Sequence, residues 1–260
     1  MSILAKICGD KIDHVKNCKK QLSFANLHAQ AIDSTPPRGF AAAIAHQKKH
    51  KRPAIIAEVK KASPSKGIIS HDFDPVKTAR AYQASGATCI SVLTDTPYFQ
   101  GCDEDFTAAR AVIDIPMIRK DFMIDPYQIV ESRAMGADCI LLIMAALEDD
   151  QAKELADTAR EHDMDILIET HNAEEIERSL ALNPTLIGLN SRNLKTLDVD
   201  LKIFDTLFEA LPKDALKIAE SGISNSETVH QLHTRGYDGF LIGESLMRQG
   251  AEAIEKIHKI

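Results

Sequence analysis

Ile55-Ile56-Ala57-Glu58-Val59-Lys60-Lys61-Ala62-Ser63-Pro64-Ser65-Lys66-Gly67 decides how the rest of the chain is read. It opens as an apolar run, as a buried strand does, and closes with a carboxylate and an ammonium two residues apart. Side chains at i and i+2 project to the same face of a strand, so Glu58 and Lys60 point together. Burying unpaired charge is costly. The pair therefore reads equally as a plain ion pair at a strand end or as chemistry at a strand mouth, with Ser63 to Gly67 as a mobile flap.

Seven further apolar runs follow. The eight strand candidates are Ala54–Val59, Cys89–Leu93, Met117–Arg119, Cys139–Ile143, Ile166–Glu169, Leu186–Leu189, Lys217–Ala219 and Gly239–Ile242. Amphipathic patterns separate them over 75–85, 106–112, 126–135, 148–162, 173–181, 201–211, 226–234 and 246–260. Asp74, Asp125, Asn172, Asp200 and Asn225 stand at N-cap positions, and Gly86, Gly136 and Gly236 stand where helices end. Near-continuous apolar strands alternating with helices are the pattern of a parallel sheet covered on its outer face. Eight such units, with no GxGxxG after the first strand, favour an α/β (β/α)8 TIM barrel over an open doubly wound sheet. Residues 1–52 carry helical patterning, with Ile3, Leu4 and Ile7 on one face, and 35–39 break it into two pieces. That segment is too short for its own core, so it is expected as a helical extension packed on the barrel of 53–260.

Composition narrows the function. The 260 residues are 44% hydrophobic and carry a net charge of −7, which disfavours nucleic acid as a partner. The basic run Lys48-Lys49-His50-Lys51-Arg52 reads as a solvated segment. Five cysteines without a CxxC pair fit a reducing compartment. The charged start lacks a signal-peptide core, and no apolar stretch is long enough for a membrane span. A soluble cytoplasmic protein is expected.

In such a barrel the working residues lie at the C-terminal strand ends. Those ends carry Glu58 and Lys60, then Thr94 and Asp95, then Arg119, Lys120 and Asp121, then Glu169, Asn190 with Arg192, Glu220-Ser221-Gly222 and Gly243-Glu244-Ser245. Interchangeable solvated residues explain any one end but not the set. Gly222 and Gly243 each precede a helix and leave backbone N–H groups open to an anion. Loops seven and eight are the usual phosphate site of these barrels. Lys60 adds charge from the adjoining first strand, and Glu244 must turn its carboxylate away and offer only its N–H. His230 and His233, three apart on a helix, lack the companions of a metal site. Asp103-Glu104-Asp105 reads as an acidic helix start.

Several strings, in order along the chain, resemble those of the indole-3-glycerol phosphate synthase family: 56–67, Arg119-Lys120-Asp121-Phe122, Ile168-Glu169, 188–194, Ala219-Glu220-Ser221-Gly222-Ile223 and 241–247. The helical extension is also what that family has. The resemblance implies conversion of 1-(2-carboxyphenylamino)-1-deoxyribulose 5-phosphate into indole-3-glycerol phosphate with loss of CO2 and water, in tryptophan biosynthesis. It implies no cofactor or metal, a small anionic sugar phosphate as partner, and a monomer. Carried over by motif, Lys120 is the general acid at the substrate ketone. Lys60 contacts phosphate and serves as a second acid, Glu169 and Glu58 remove protons, and Asn190 positions the intermediate. Ser63 and Arg192 contact the anthranilate part, Glu220 and Ser221 line the site, and Phe99 matches an aromatic position after strand two.

Chemistry of the residues agrees, since ring closure needs an acid at a carbonyl oxygen. A desolvated lysine near another cation, its pKa lowered, would suit that task. Cys102, Ser191 and Asn193 depart from the family pattern in loops and replace no acid or base. With the last residue at Ile260, no second fused barrel is expected. The alternatives are another phosphate-binding barrel isomerase or aldolase, and a catalytically silent phosphate-binding protein.

Overall fold

Eight parallel strands close on one another in the computed structural model, which describes residues 3–259. They are β1 (Ala54–Val59), β2 (Cys89–Leu93), β3 (Met117–Lys120), β4 (Cys139–Ile143), β5 (Asp165–Thr170), β6 (Leu186–Asn190), β7 (Leu216–Glu220) and β8 (Gly239–Ile242). Each pairs with its sequence neighbours, and β1 closes the ring against β8 through Ala54 opposite Gly239. The (β/α)8 expectation is met. Several strands run a residue further than their apolar pattern, because the ladder carries the polar residue with it. Asn190 is in register with Glu220, and Ile143 with Glu169.

Strand parity sorts the side chains into two cores. Ala54, Ile56, Cys89, Ile118, Cys139, Leu141, Leu167, Leu186, Leu216, Ile218 and Leu241 fill the barrel interior. Ile55, Ala57, Val59, Ile90, Met117, Ile140, Ile166, Ile168, Ile187, Ala219 and Phe240 pack outward under the helices. Two residues beyond an interior position lies another interior position. The same alternation that buries Ile56, Ile118, Leu167 and Ile218 therefore turns Glu58, Lys120, Glu169 and Glu220 into the mouth.

The helices mostly follow their signals. Asp74, Asp125, Asn172 and Asn225 each accept a backbone N–H of the first turn they cap. Two patterns are broken, however. The helix expected over 201–211 is a turn of α-helix, Ile203–Thr206, followed by a 3-10 turn, Phe208–Ala210. Leu211 is extended, as the residue before Pro212 must be. Asp200 takes the Lys202 N–H on its side chain, but Lys202 is the N-cap. The last helix divides into Glu244–Gln249 and Glu252–His258 at Gly250, whose φ of +83° no helix tolerates. The Ser63–Gly67 flap is the tip of a two-stranded hairpin, Ala62–Ser63 against Gly67–Ile68.

The extension has three helices rather than two pieces: Ile3–Gln21, Phe24–Asp33 and Phe40–Lys49. Ser23 makes the extra break by capping the second with its hydroxyl on the Asn26 N–H. The third plugs the bottom of the barrel with Phe40 and Ile44, both fully buried. Each is worth about 1.5–3 kcal/mol of apolar burial. The first two lie on the helix Pro126–Ala134, where Val15, Leu27 and Ala31 meet Tyr127 and Val130. Lys11 reaches further, to the residues that follow β2 and β3, where it sits between Asp95 (2.9 Å) and Asp121 (2.7 Å).

Candidate active site

A cavity of about 1070 Å³ opens at the C-terminal ends of the strands. Glu58, Lys60, Phe99, Lys120, Glu169, Asn190, Arg192, Glu220, Ser221, Gly222, Gly243 and Glu244 all stand on its wall. The structure thus brings together every residue given a role in the site except Ser63, while the strand-end residues Thr94 and Asp95 lie off the wall. Ser63 is buried in the hairpin, and its neighbours Pro64, Ser65 and Lys66 face the cavity in its place. Strand parity also removes Arg119, which is turned outward like Met117. It is fully buried against Glu131 and Asp103, both at 2.8 Å. Asp103 is therefore a counter-ion as well as an acidic helix start.

The centre of the wall is Lys120. Its ammonium lies 2.7 Å from Glu169 Oε2 and 3.0 Å from Glu220 Oε2. Burial alone would lower its pKa, but Glu169, Glu220 and Glu58 outweigh that and hold it well above the ordinary lysine value. The neighbours of Lys120 are thus carboxylates, not the cation expected from sequence, and it stays charged. Burial would likewise raise Glu169, yet Lys120 and His171 hold it well below the usual carboxylate range. Glu220 goes the other way. Burial, followed by the charge of Glu169, outweighs Lys120 and pushes it up to about 8. Its Oε1 has no hydrogen-bond partner among the described residues. The carboxyl fits there only because strand β6 passes with Gly188, where any Cβ would collide with that oxygen.

A second acid–base pair stands on β1. Lys60 Nζ lies 2.5 Å from Glu58 Oε1, so the two do point together. Gly243 after β8 is required by them, since a Cβ there would collide with Glu58 and lie 2.9 Å from Lys60 Nζ. Just after β7, Ser221 and Gly222 have φ of +68° and +72°. A serine in the left-handed region is strained, and such strain gathers at functional sites. It turns the chain so that Gly222 lies against Val199 and Leu201, with no room for a Cβ. The Glu244 carboxylate accepts the Arg248 guanidinium at 3.1 Å along its helix, and both residues line the cavity. Arg192 is held by its own loop, its N–H on Asn190 Oδ1 (3.0 Å) and its guanidinium on the Leu197 carbonyl (2.9 Å). Phe99 faces Phe122 at 6.2 Å between ring centroids, giving the mouth an aromatic side.

His171 and Lys11 escaped sequence reading. Alternation along β5 could have pointed to His171, two residues after Glu169. No local signal marks Lys11, one of several lysines on a helix remote in sequence. Among the described residues no group of three or more His, Cys, Asp or Glu is placed to hold a metal ion. No helix among them is long and apolar enough to cross a membrane.

Known proteins resemble this chain over nearly its whole length. The chain is 50% identical over 247 residues to an indole-3-glycerol phosphate synthase of Azospirillum brasilense, covering 95% of this chain and 94% of that one. It is 50% identical over 248 residues to the enzyme of the same name from Rhodospirillum rubrum, covering 95% and 94%. Among solved structures it resembles a thiamine phosphate pyrophosphorylase from Pyrococcus furiosus at 18% identity and a TM-score of 0.59, over 82% of this chain and 96% of that one. It also resembles a mutant tryptophan synthase alpha-subunit from the same organism at 16% and 0.60, over 80% and 98%. These two likenesses speak for the barrel alone. A sequence-family model for indole-3-glycerol phosphate synthase matches residues 4–260, and the chain belongs to that family.

Proposed function

We propose that this cavity converts 1-(2-carboxyphenylamino)-1-deoxyribulose 5-phosphate into indole-3-glycerol phosphate by ring closure, decarboxylation and dehydration. The observation that carries the reading is the pairing across the mouth. Lys120 with Glu169 stands on β3 and β5, and Lys60 with Glu58 on β1, four strands from β5 in the closed ring of eight. Ring closure turns the ketone oxygen into an alkoxide. Lys120 is the acid for that oxygen, and an alkoxide is so much stronger a base than an amine that an ammonium held high still protonates it. The ring carboxylate then leaves as CO2, and its bonding electrons restore the aromatic system. Dehydration needs a base to remove a proton and an acid to release the hydroxyl as water. Glu169 on β5 and Lys60 on β1 face each other for this, with Glu58 holding Lys60.

The phosphate lies against the backbone N–H groups of Gly222, Gly243 and Glu244, with Lys60 beside it. Phe99 and Arg192 take the anthranilate ring and its carboxylate, with Ser63 behind them in the hairpin. Asn190, Glu220 and Ser221 complete the wall around the intermediate. A monomer in the cytoplasm suits this reading, because one chain supplies every wall residue and the cysteines are all free. The test is direct: the substrate is added to folded protein and indole fluorescence is followed. Fluorescence appearing in step with substrate loss is expected, and none from well-folded protein sinks the assignment.

A further inference from the structure

His171 does not line the cavity, yet it touches the residue that the reading above makes the base. It stands in the bend just past the end of β5, with its ring turned back onto Glu169. Its ring lies between two carboxylates, with Nδ1 2.9 Å from Glu175 Oε2 and Nε2 3.2 Å from Glu169 Oε1. Glu175 is itself fixed. Its Oε2 also accepts the His171 backbone N–H (2.8 Å), its Oε1 accepts the Asn172 amide (2.7 Å), and its own N–H is held by Asn172 Oδ1 (2.9 Å). One edge of the imidazole is therefore anchored. The other edge makes an ion pair with Glu169 without an aligned hydrogen bond, and Nε2 has no other partner among the described residues.

Neutral imidazole has a single N–H, whereas here both nitrogens face carboxylate oxygens. The doubly protonated ring is the form that suits both. Burial opposes its charge, but Glu169 and Glu175 more than offset this and push the imidazole up to about 9. Around Glu169 the titratable groups are Lys120 on Oε2, His171 on Oε1, and Glu220, which shares Lys120 and interacts with Glu169 directly. Each oxygen of Glu169 thus has its own cation. Once Lys120 has given its proton to the substrate, one of those two is lost.

We propose that His171 is a positioning residue for the reaction: anchored by Glu175, its ring is the cation that remains on Glu169 and keeps that carboxylate ionised and aimed into the cavity while Lys120 is neutral. The inference rests on Glu169 being the base. Its effect is on turnover and not on binding, since the ring makes no part of the cavity wall.

His171→Gln tests it, with kcat and KM followed across pH. Loss of the cation should raise the pKa that governs the acid limb of the kcat profile by about one unit, with kcat down about tenfold and KM little changed. Glu169→Gln is measured alongside and should be inactive. Should Glu169→Gln keep its turnover, the base assignment and this inference fall together. An inactive Glu169→Gln with a folded His171→Gln of native kcat and unmoved acid limb overturns the role of His171 alone. If His171→Gln does not fold, Glu175→Gln replaces it. That variant leaves the ring but strips its anchor of charge, and should move the acid limb the same way by less; no movement overturns the proposal.

Discussion

Two lysines near the C-terminal strand ends are each clasped by two carboxylates, at 2.9 and 2.7 Å for Lys11 and 2.7 and 3.0 Å for Lys120. Their side chains are 6% and 11% exposed, so burial does not tell them apart. Satisfaction of the acids does. Asp121 beside Lys11 also takes the Thr94 hydroxyl (2.8 Å) and the Phe122 N–H (2.7 Å), and despite burial Lys11 and Arg119 hold it below the usual carboxylate range. Glu220 beside Lys120 keeps one oxygen unpartnered and is pushed up to about 8. The first cluster is an internal weld: even Asp95 Oδ2, which no aligned hydrogen bond reaches, lies 2.9 Å from the Lys11 ammonium. The second holds a proton that can move, next to a cavity where it can be used. Asp95, the other partner of Lys11, also accepts the Tyr98 N–H and caps the turn Thr96–Phe99. The weld therefore fixes the residue after Lys120 and the turn that carries Phe99.

The comparison breaks most visibly at Lys120. Lys120→Met should lower kcat by about 10²–10⁴-fold, the usual worth of a positioned acid, while equilibrium binding of the phosphorylated substrate stays largely intact. An equal loss of binding would make it a binding lysine and erase the distinction from Lys11. Lys11→Met should act on the fold instead. It leaves two buried aspartates without their ammonium, a loss of about 3–5 kcal/mol that a lowered denaturant midpoint would register. Turnover of the folded fraction should fall far less than in the Lys120 variant. If it falls as much, the weld is part of the chemistry.

Glu220→Gln sharpens the contrast with a smaller effect. In the fold this carboxyl is weaker (about 8) than its ordinary value of 4.5. Below 4.5 the folded and unfolded chains both carry the proton. Between 4.5 and 8 only the folded chain keeps it, so this group erodes stability as pH rises and stops doing so above 8. The glutamine variant lacks that erosion. Its melting temperature relative to the native protein should rise across that window and then level off. A constant difference would mean that Glu220 is ionised throughout, like Asp121.

Much of this site was legible before any fold was seen. Alternation placed Glu58 beside Lys60, and the recurrence of charge at strand ends marked the mouth. What failed did so for identifiable reasons. Sequence groups Arg119 with Lys120 because a strand end looks like a single place, while parity sends adjacent residues to opposite faces. Sequence reads Ser63 as open to the cavity, whereas the structure buries it, because the hairpin Ala62–Ile68 has no apolar alternation long enough to announce it. The Lys120 pKa was expected to fall because its neighbours were unknown, and those neighbours are carboxylates from β5 and β7.

The sequence by itself determined the barrel, since eight apolar runs with intervening amphipathic helices leave few other ways to bury both faces of each strand. It also determined which residues face the mouth, because a period of two is a local property of the backbone. Only the tertiary structure decided which charges meet. Lys11 lies 84 and 110 residues from its partners, and Lys120 lies 49 and 100 from its own. Whether a buried carboxylate is satisfied or left holding a proton depends on groups that closure of the ring brings within 3 Å. That separates the weld at Lys11 from the working cluster at Lys120, and no local pattern encodes it.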